Sequence, residues 1–182
     1  MDPRRVLLTL TAVATGLSAG FFVTYAISVT RGLALVDDAT YVETMQSIND
    51  TVRTGWFAAF FFGSLPLLVA ASFVVSATVA RIVLGAATVV YAAGVLGVTF
   101  LANVPMNDDL ADETGRSAAA LAAARADFED PWNDWNLVRT LAALVVFVAV
   151  VATVVGQRAA QASGRVCSGN HDHRTSWPPS VR

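Results

Sequence analysis

The chain has little charge and almost none of the residue patterns that build soluble active sites. Only 14% of its 182 residues are charged and 55% are hydrophobic, with a mean hydropathy of +0.56, which is typical of an integral membrane protein. The single cysteine, Cys167, excludes an intrachain disulfide and a thiolate metal site. A phosphate-binding glycine loop, a His/Cys ligand spacing, a nucleophile elbow and a basic stripe for nucleic acid are all missing, so we expect no nucleic-acid partner.

Four long apolar runs are present instead. About 20 apolar residues are needed to cross the roughly 30 Å hydrocarbon core of a bilayer. The runs predict an all-α membrane protein, a four-transmembrane-helix antiparallel bundle with two short extramembrane helices. The predicted spanning helices cover about 6–30, 56–80, 82–102 and 131–156 within a domain of residues 1–156, and residues 157–182 are predicted to be a disordered polar tail. A cleaved signal peptide is the alternative for the first run, which is longer than a signal h-region.

The distribution of charge limits both function and orientation. No run carries a central Asp, Glu, Lys or His, which argues against a proton-relay transporter or an ion pump. Arginines near the helix ends predict a protein of the cell membrane with cytoplasmic amino and carboxyl termini. The loops 31–55 and 103–130, which hold most of the carboxylates, would then lie outside.

Glycines inside the runs predict close contacts between helices. Gly16 and Gly20 form a small-xxx-small pair, and Gly85, Gly94 and Gly97 recur in the third run. Small residues let a neighbouring backbone approach closely in lipid. We expect these glycines to pack inside the bundle, although a homo-oligomer is also compatible with them.

The first polar loop predicts a short helix on the membrane surface. Thr40 and Glu43 have the spacing of a capping box. The apolar residues that follow recur at helical intervals, at Tyr41, Met45, Ile48 and Val52. Gln46 and Asn49 would lie at the apolar edge of this helix.

The second polar loop carries the most distinctive motifs. Val104 precedes Pro105, which predicts the end of the third helix. Asp130 and Pro131 have the pattern of an N-cap and first helical residue, which predicts the start of the fourth. Because the chain would leave and re-enter the membrane on one side, the Asn-rich start and the Trp-rich end of this loop are predicted to share one mouth of the bundle.

Four residues at the start of the fourth run are spaced three, one and three apart, which predicts one helical face: Trp132, Trp135, Asn136 and Arg139. Arg139 is the only charge that lies as far as about two turns inside a run. It either snorkels toward a nearby acid such as Asp134 or is a fixed cation that lines a pocket. The two tryptophans are either interfacial belt residues or the wall of a site for a flat aromatic ligand.

Three asparagines cluster around this mouth. Asn103, Asn107 and Asn136 can each donate and accept hydrogen bonds, so they would either cap helix carbonyls or hold a ligand carbonyl. Their clustering favours a ligand site. His171 and His173 lie in the predicted tail, where they would make a poor metal site, and we expect no metal.

The order of these motifs resembles the anthrone oxygenase family of small four-helix membrane proteins. The resemblance covers roughly Leu8 to Val155. It rests on Gly16-xxx-Gly20, on Met45-Gln46-Ser47-Ile48-Asn49 before an aromatic second run (Phe57, Phe60, Phe61, Phe62, Gly63), on Asn103-Val104-Pro105-Met106-Asn107 and on Trp132-xx-Trp135-Asn136-xx-Arg139.

What the resemblance implies is oxygenation of an anthrone to an anthraquinone by O2 without metal or flavin, so no cofactor is expected. On that picture Asn103, Asn107 and Asn136 would be hydrogen-bond donors. Arg139 would stabilise the substrate anion and Asp134 would be a possible base. The substrate-binding residues would be Trp132, Trp135, Asn49 and Gln46.

A second class of function uses the same mouth. A non-enzymatic membrane module would bind a lipid, a quinone or a partner helix there. In either case the bilayer is a partner, and a hydrophobic small molecule is the expected ligand.

Overall fold

Four long helices and one shorter helix build the described part of the protein. The computed structural model describes residues 2–52, 55–115 and 117–172, with side chains up to Arg158. The helices that are long and apolar enough to cross a membrane are the first spanning helix (Pro3–Leu33), the second (Gly55–Val74), the third (Thr78–Asp112) and the fourth (Ala118–Arg158). The predicted fold class, an all-α multi-pass membrane bundle, is confirmed.

Each spanning helix packs beside the next one along the chain, and the first also packs beside the fourth. This closed order is that of an antiparallel up-and-down bundle. The interior is apolar and continuous, with Phe22, Phe61, Leu68, Leu84 and Val146 each at most 1% exposed. Close packing of such side chains holds helices together where lipid removes the hydrophobic drive for association.

The predicted surface helix is present and spans Asp38–Val52. It begins earlier than the capping-box spacing indicated, because the carboxylate of Asp37 accepts hydrogen bonds from the backbone N–H (3.1 Å) and the hydroxyl (2.7 Å) of Thr40. These hydrogen bonds to Thr40 lower the pKa of Asp37. Asp37 is therefore the residue that caps this helix.

The surface helix is fixed to the ends of the third and fourth spanning helices. Its buried residues Tyr41, Val42 and Met45 form a second apolar cluster with Leu110 and Phe128. Arg125 binds the adjoining loop, where it donates to the carbonyl of Val36 at 2.8 Å and pairs with Asp38 at 3.1 Å. The surface helix therefore covers one end of the bundle, which we call the surface-helix end.

The third spanning helix does not end at Val104, and that prediction is wrong. Val104 keeps right-handed helical angles, and the helix continues to Asp112. A π-helical turn at Thr99–Asn103 precedes Pro105, which occupies the first turn of the α-helical stretch that follows. A proline destabilises a helix little at this position, because the N–H group of a first-turn residue has no carbonyl partner within the α-helical stretch.

The prediction that the fourth spanning helix begins at Pro131 is also wrong. The helix begins at Ala118, so Pro131 lies inside it and the Ala-rich segment is not a separate helix. The high helix propensity of the Ala-rich segment favours a continuous helix across Pro131. Stacking of Phe128 on Trp132, with ring centroids 5.9 Å apart, holds the turns on both sides of Pro131 in register.

Two further boundaries differ from the sequence prediction. The second spanning helix ends at Val74 and the third begins at Thr78, so Arg81 lies within the third helix rather than in a turn. The backbone of the fourth helix is helical up to Asp172, whereas the sequence predicted a disordered tail from residue 157. The division into a domain of residues 1–156 and a tail remains a prediction.

Gly94 offers a test of the packing. A Cβ at Gly94 would lie 2.7 Å from the Cβ of Ala142, whereas a Cβ at Gly85 would meet nothing within 4 Å. Both Gly→Ala changes gain about 1 kcal/mol of helix propensity, but at Gly94 overpacking costs about 1–3 kcal/mol. We expect Gly94→Ala to melt at a lower temperature than Gly85→Ala in the same detergent, and equal melting temperatures would contradict the close approach.

Candidate functional site

A cavity of about 360 Å³ lies at the surface-helix end of the bundle. All four spanning helices and the surface helix contribute to its wall, and half of the described lining side chains are aromatic. The lining residues are Phe21, Phe22, Tyr25, Asn49, Val52, Phe57, Ala58, Phe61, Phe62, Thr99, Phe100, Val104, Asn107, Trp132, Asn136 and Arg139. The predicted meeting of the Asn-rich and Trp-rich motifs therefore occurs, through Asn107 and Trp132.

Arg139 is a buried cation in this wall, only 6% exposed. Its Nη2 donates to Asn136 Oδ1 at 3.0 Å and its Nη1 to Thr99 Oγ1 at 3.4 Å. Its Nε has no hydrogen-bond partner, and no carboxylate of the described chain pairs with it. The snorkelling alternative, in which Arg139 is tied to Asp134, is therefore not what the structure shows. A buried charge without a counter-ion is costly, and an anionic ligand would offset that cost.

Two aromatic faces hold the guanidinium in place. Its Cζ lies 4.9 Å from the ring centroid of Phe22 and 5.2 Å from that of Trp132. Cation–π attraction compensates part of the lost hydration. Because these rings and Asn136 fix the group from several sides, its remaining N–H groups have a defined position at the cavity.

Trp132 links the third and fourth spanning helices across the cavity. Its indole N–H donates to Asn107 Oδ1 at 2.7 Å, and its ring lies 5.7 Å from that of Tyr25. This contact occupies the carbonyl of the Asn107 amide and leaves its NH2 group as the donor available to a ligand.

Asn49 comes to the cavity from the surface helix. It is 6% exposed, and its amide nitrogen has no hydrogen-bond partner. The Nε of Arg139 and the amide nitrogen of Asn49 are thus two buried donors, both on lining residues, that no acceptor in the described chain satisfies. Buried polar groups are rarely left without partners, so the site is suited to a ligand that presents acceptor oxygens.

Four of the predicted site residues do not line the cavity. Asn103 is fully buried, and its amide donates to the carbonyl of Trp132 at 3.3 Å, inside the fourth spanning helix. Gln46 donates to the carbonyls of Leu110 (2.8 Å) and Glu113 (3.2 Å) at the end of the third helix. The other two, Asp134 and Trp135, are exposed on the fourth helix.

The prediction that Trp135 shares the face of Trp132 is wrong, because Trp135 is 44% exposed. In an α-helix of 3.6 residues per turn, Asn136 and Arg139 lie about 40° and 20° to either side of Trp132. Trp135 lies about 60° away on the Arg139 side, which places it beyond the edge of the buried face.

Three important lining residues were missed in the sequence. Phe22, Tyr25 and Thr99 line the cavity, and Tyr25 and Thr99 open π-helical turns at Tyr25–Val29 and Thr99–Asn103. A π-helical turn shifts the face that each residue presents, so a regular helical period does not reveal it. The only sequence signal was the aromatic cluster around Phe22 and Tyr25 in an otherwise aliphatic run.

Among the described residues, no group of three or more His, Cys, Asp or Glu side chains is arranged to hold a metal ion. His173 and the side chain of His171 lie outside the described part of the chain.

The family model for anthrone oxygenase matches residues 56–149, more than half of the chain. The chain belongs to the anthrone oxygenase family. No curated protein and no solved structure matches it. The part that matches the anthrone oxygenase family contains Asn107, Trp132, Asn136 and Arg139, whereas Tyr25 and Asn49 lie before it.

Proposed function

We propose that this membrane protein is a cofactor-independent monooxygenase that oxidises a flat, hydrophobic substrate of the anthrone or phenol type with O2. The observation that carries the proposal is the Arg139 guanidinium, which has no carboxylate partner in the described chain, in the wall of a largely aromatic cavity. Membership of the anthrone oxygenase family supports it.

The shape and lining of the cavity suit such a substrate. Its volume of about 360 Å³ falls in the range of small-molecule sites, which are mostly apolar with a few convergent polar groups. Phe57 and Phe61 stack on each other at 4.8 Å and present aromatic surface on the side of the second spanning helix. A planar ring system would lie against these rings with its oxygen toward Arg139.

The first chemical step would be formation of the substrate anion. The methylene of an anthrone is acidified by the ring carbonyl, so loss of one proton to solvent gives an enolate. The Arg139 cation and the amide of Asn136 would stabilise the negative oxygen. Fixed donors in a site from which water is excluded are effective for this purpose.

Oxygen would then react with the enolate carbon directly. The enolate transfers one electron to O2, and the resulting radical pair forms a C–O bond to give a peroxide anion. The Tyr25 hydroxyl, which makes no hydrogen bond within the described chain, would protonate this anion. The Tyr25 phenolate would next remove the remaining proton from the same carbon, so that the O–O bond breaks and a ketone and hydroxide form. The proton first released to solvent converts the hydroxide to water.

The proposal is tested with purified protein, an anthrone and O2. We expect quinone absorbance to appear faster than in buffer, with one O2 consumed per quinone. Asn107→Ala should lower the rate, because it removes one donor at the cavity and frees the Trp132 indole that Asn107 now holds. A rate equal to that in buffer and unaffected by Asn107→Ala would contradict an enzymatic function. Tight anthraquinone binding without turnover would instead favour a binding module.

A further inference from the structure

One wall of the cavity consists of side chains alone, between the second and third spanning helices. Away from the surface-helix end these helices pack closely, and the Tyr91 hydroxyl donates to the carbonyl of Phe61 at 2.7 Å. From residue 91 to residue 103, the third helix has almost no close backbone approach to the second in the described chain. The two helices diverge there, and the cavity occupies the space between them.

Phe62 and Phe100 close this gap. Their ring centroids are 6.1 Å apart with an interplanar angle of 24°, and both line the cavity. Each is also 49% exposed. Between the second and third spanning helices, the barrier between the cavity and the exterior is therefore this pair of stacked rings.

The exterior at this place is the hydrocarbon of the bilayer. Phe62 and Phe100 lie in helices whose most apolar stretches have mean hydropathies of 2.1 and 2.0. Their exposed neighbours are apolar as well, with Ala59 beside Phe62 and Leu101 beside Phe100. Stretches of this length and hydropathy are buried in the membrane core.

The aqueous side of the cavity is covered by a packed element. The surface helix contributes Asn49 to the wall, and Val42 and Met45 of the same helix are buried at 0% and 1% exposure. Gln46 further ties it to the third helix through the Leu110 carbonyl. Displacing this helix would break an apolar cluster and two hydrogen bonds, whereas rotating two phenyl rings breaks neither.

We propose that the ligand enters the cavity from the bilayer, between Phe62 and Phe100. The ligand class is then a planar aromatic molecule that dissolves in lipid, and the two rings select for flatness. The chemistry of this ligand rests on the function proposed above, but the entry route is a separate claim. Phe100 belongs to the π-helical turn Thr99–Asn103, and such turns interrupt regular helices at functional sites.

The route is tested by binding kinetics rather than by turnover. The full chain is placed in lipid nanodiscs, and 1,8-dihydroxyanthraquinone dissolved in the lipid is the probe, followed by its own fluorescence after rapid mixing. We expect Phe62→Ala/Phe100→Ala to raise both the association and the dissociation rate severalfold. Phe62→Trp/Phe100→Trp should lower both rates. Because a gate changes the barrier in both directions, Kd should change much less than either rate.

Phe73→Ala provides the matched control. Phe73 is also a phenylalanine of the second spanning helix, is 76% exposed and lies outside the cavity wall, so its removal should leave both rates unchanged. If the probe binds but neither the double Ala variant nor the double Trp variant changes its rates, entry from the bilayer between these rings would be contradicted. The cavity would still be supported as the binding site. If the wild-type protein does not bind the probe, the result would contradict both the ligand site and the proposed function.

Discussion

Replacement of Arg139 by glutamine is expected to lower kcat/KM for anthrone oxidation by about 10²–10³-fold, the usual cost of removing one donor that stabilises an oxyanion. Among the described residues, Arg139 is the only cation that lines the cavity, and the change removes that charge. It leaves a side-chain amide that can still bond to Asn136. Initial rates of quinone formation at several anthrone concentrations measure the effect, and most of the loss should be in kcat.

Arg139→Gln should lower the activity without lowering the thermal stability of the protein. Arg139 is 6% exposed and has no carboxylate partner in the described chain, and a buried charge without a counter-ion opposes folding. The melting temperature of Arg139→Gln should therefore equal or exceed that of the wild type. Arg81→Gln is the matched control, because Arg81 is exposed in the same bundle and far along the third helix from the cavity. Loss of activity together with a lower melting temperature would show that Arg139 has a structural role.

The fold was predictable from the sequence because lipid permits few alternatives. Four apolar runs must each form a helix, and short connections make neighbouring helices antiparallel. Helix ends were less predictable. Pro105 and Pro131 both indicated boundaries, yet both lie inside continuous helices. A preceding π-helical turn accommodates the first, and ring stacking across the turn supports the second.

The candidate site was predictable where a motif lies on a regular helical face. Trp132, Asn136 and Arg139 follow α-helical spacing and all reach the cavity. Trp135 and Asp134 were grouped with them because they are adjacent in sequence, but they point out of the bundle. Tyr25 could not be found in this way, because it opens a π-helical turn in a run that carries no polar motif.

None of the described residues that line the cavity is a carboxylate, which makes Tyr25 the decisive test of mechanism. Asp134, the base that the family resemblance implied, is exposed and does not line the cavity. Tyr25 does line it, and the Tyr25 and Arg139 side chains both contact the Trp132 ring. A proton donor at this position would contribute about 10²–10⁴-fold to the rate.

Tyr25→Phe is therefore expected to lower the rate of quinone formation by about 10²-fold, at the low end of that range, without loss of stability. It keeps the ring contacts with Phe21 and Trp132 and removes a hydroxyl that has no hydrogen-bond partner in the described chain. Because Tyr25 acts after O2 has added to carbon, oxygen uptake should fall less than quinone formation. The substrate hydroperoxide should accumulate, and parallel measurement of O2 and quinone detects it.

Tyr91→Phe separates this role from a structural one. The Tyr91 hydroxyl is bonded to Ser18 at 2.9 Å and to the Phe61 carbonyl at 2.7 Å, and Tyr91 does not line the cavity. Its loss should lower the melting temperature, since a buried hydrogen bond contributes about 0.5–1.5 kcal/mol, and should leave the ratio of O2 consumed to quinone formed unchanged. If Tyr25→Phe also kept that ratio, solvent rather than Tyr25 would have to protonate the peroxide anion and remove the last proton from the carbon, which would contradict the role proposed for Tyr25.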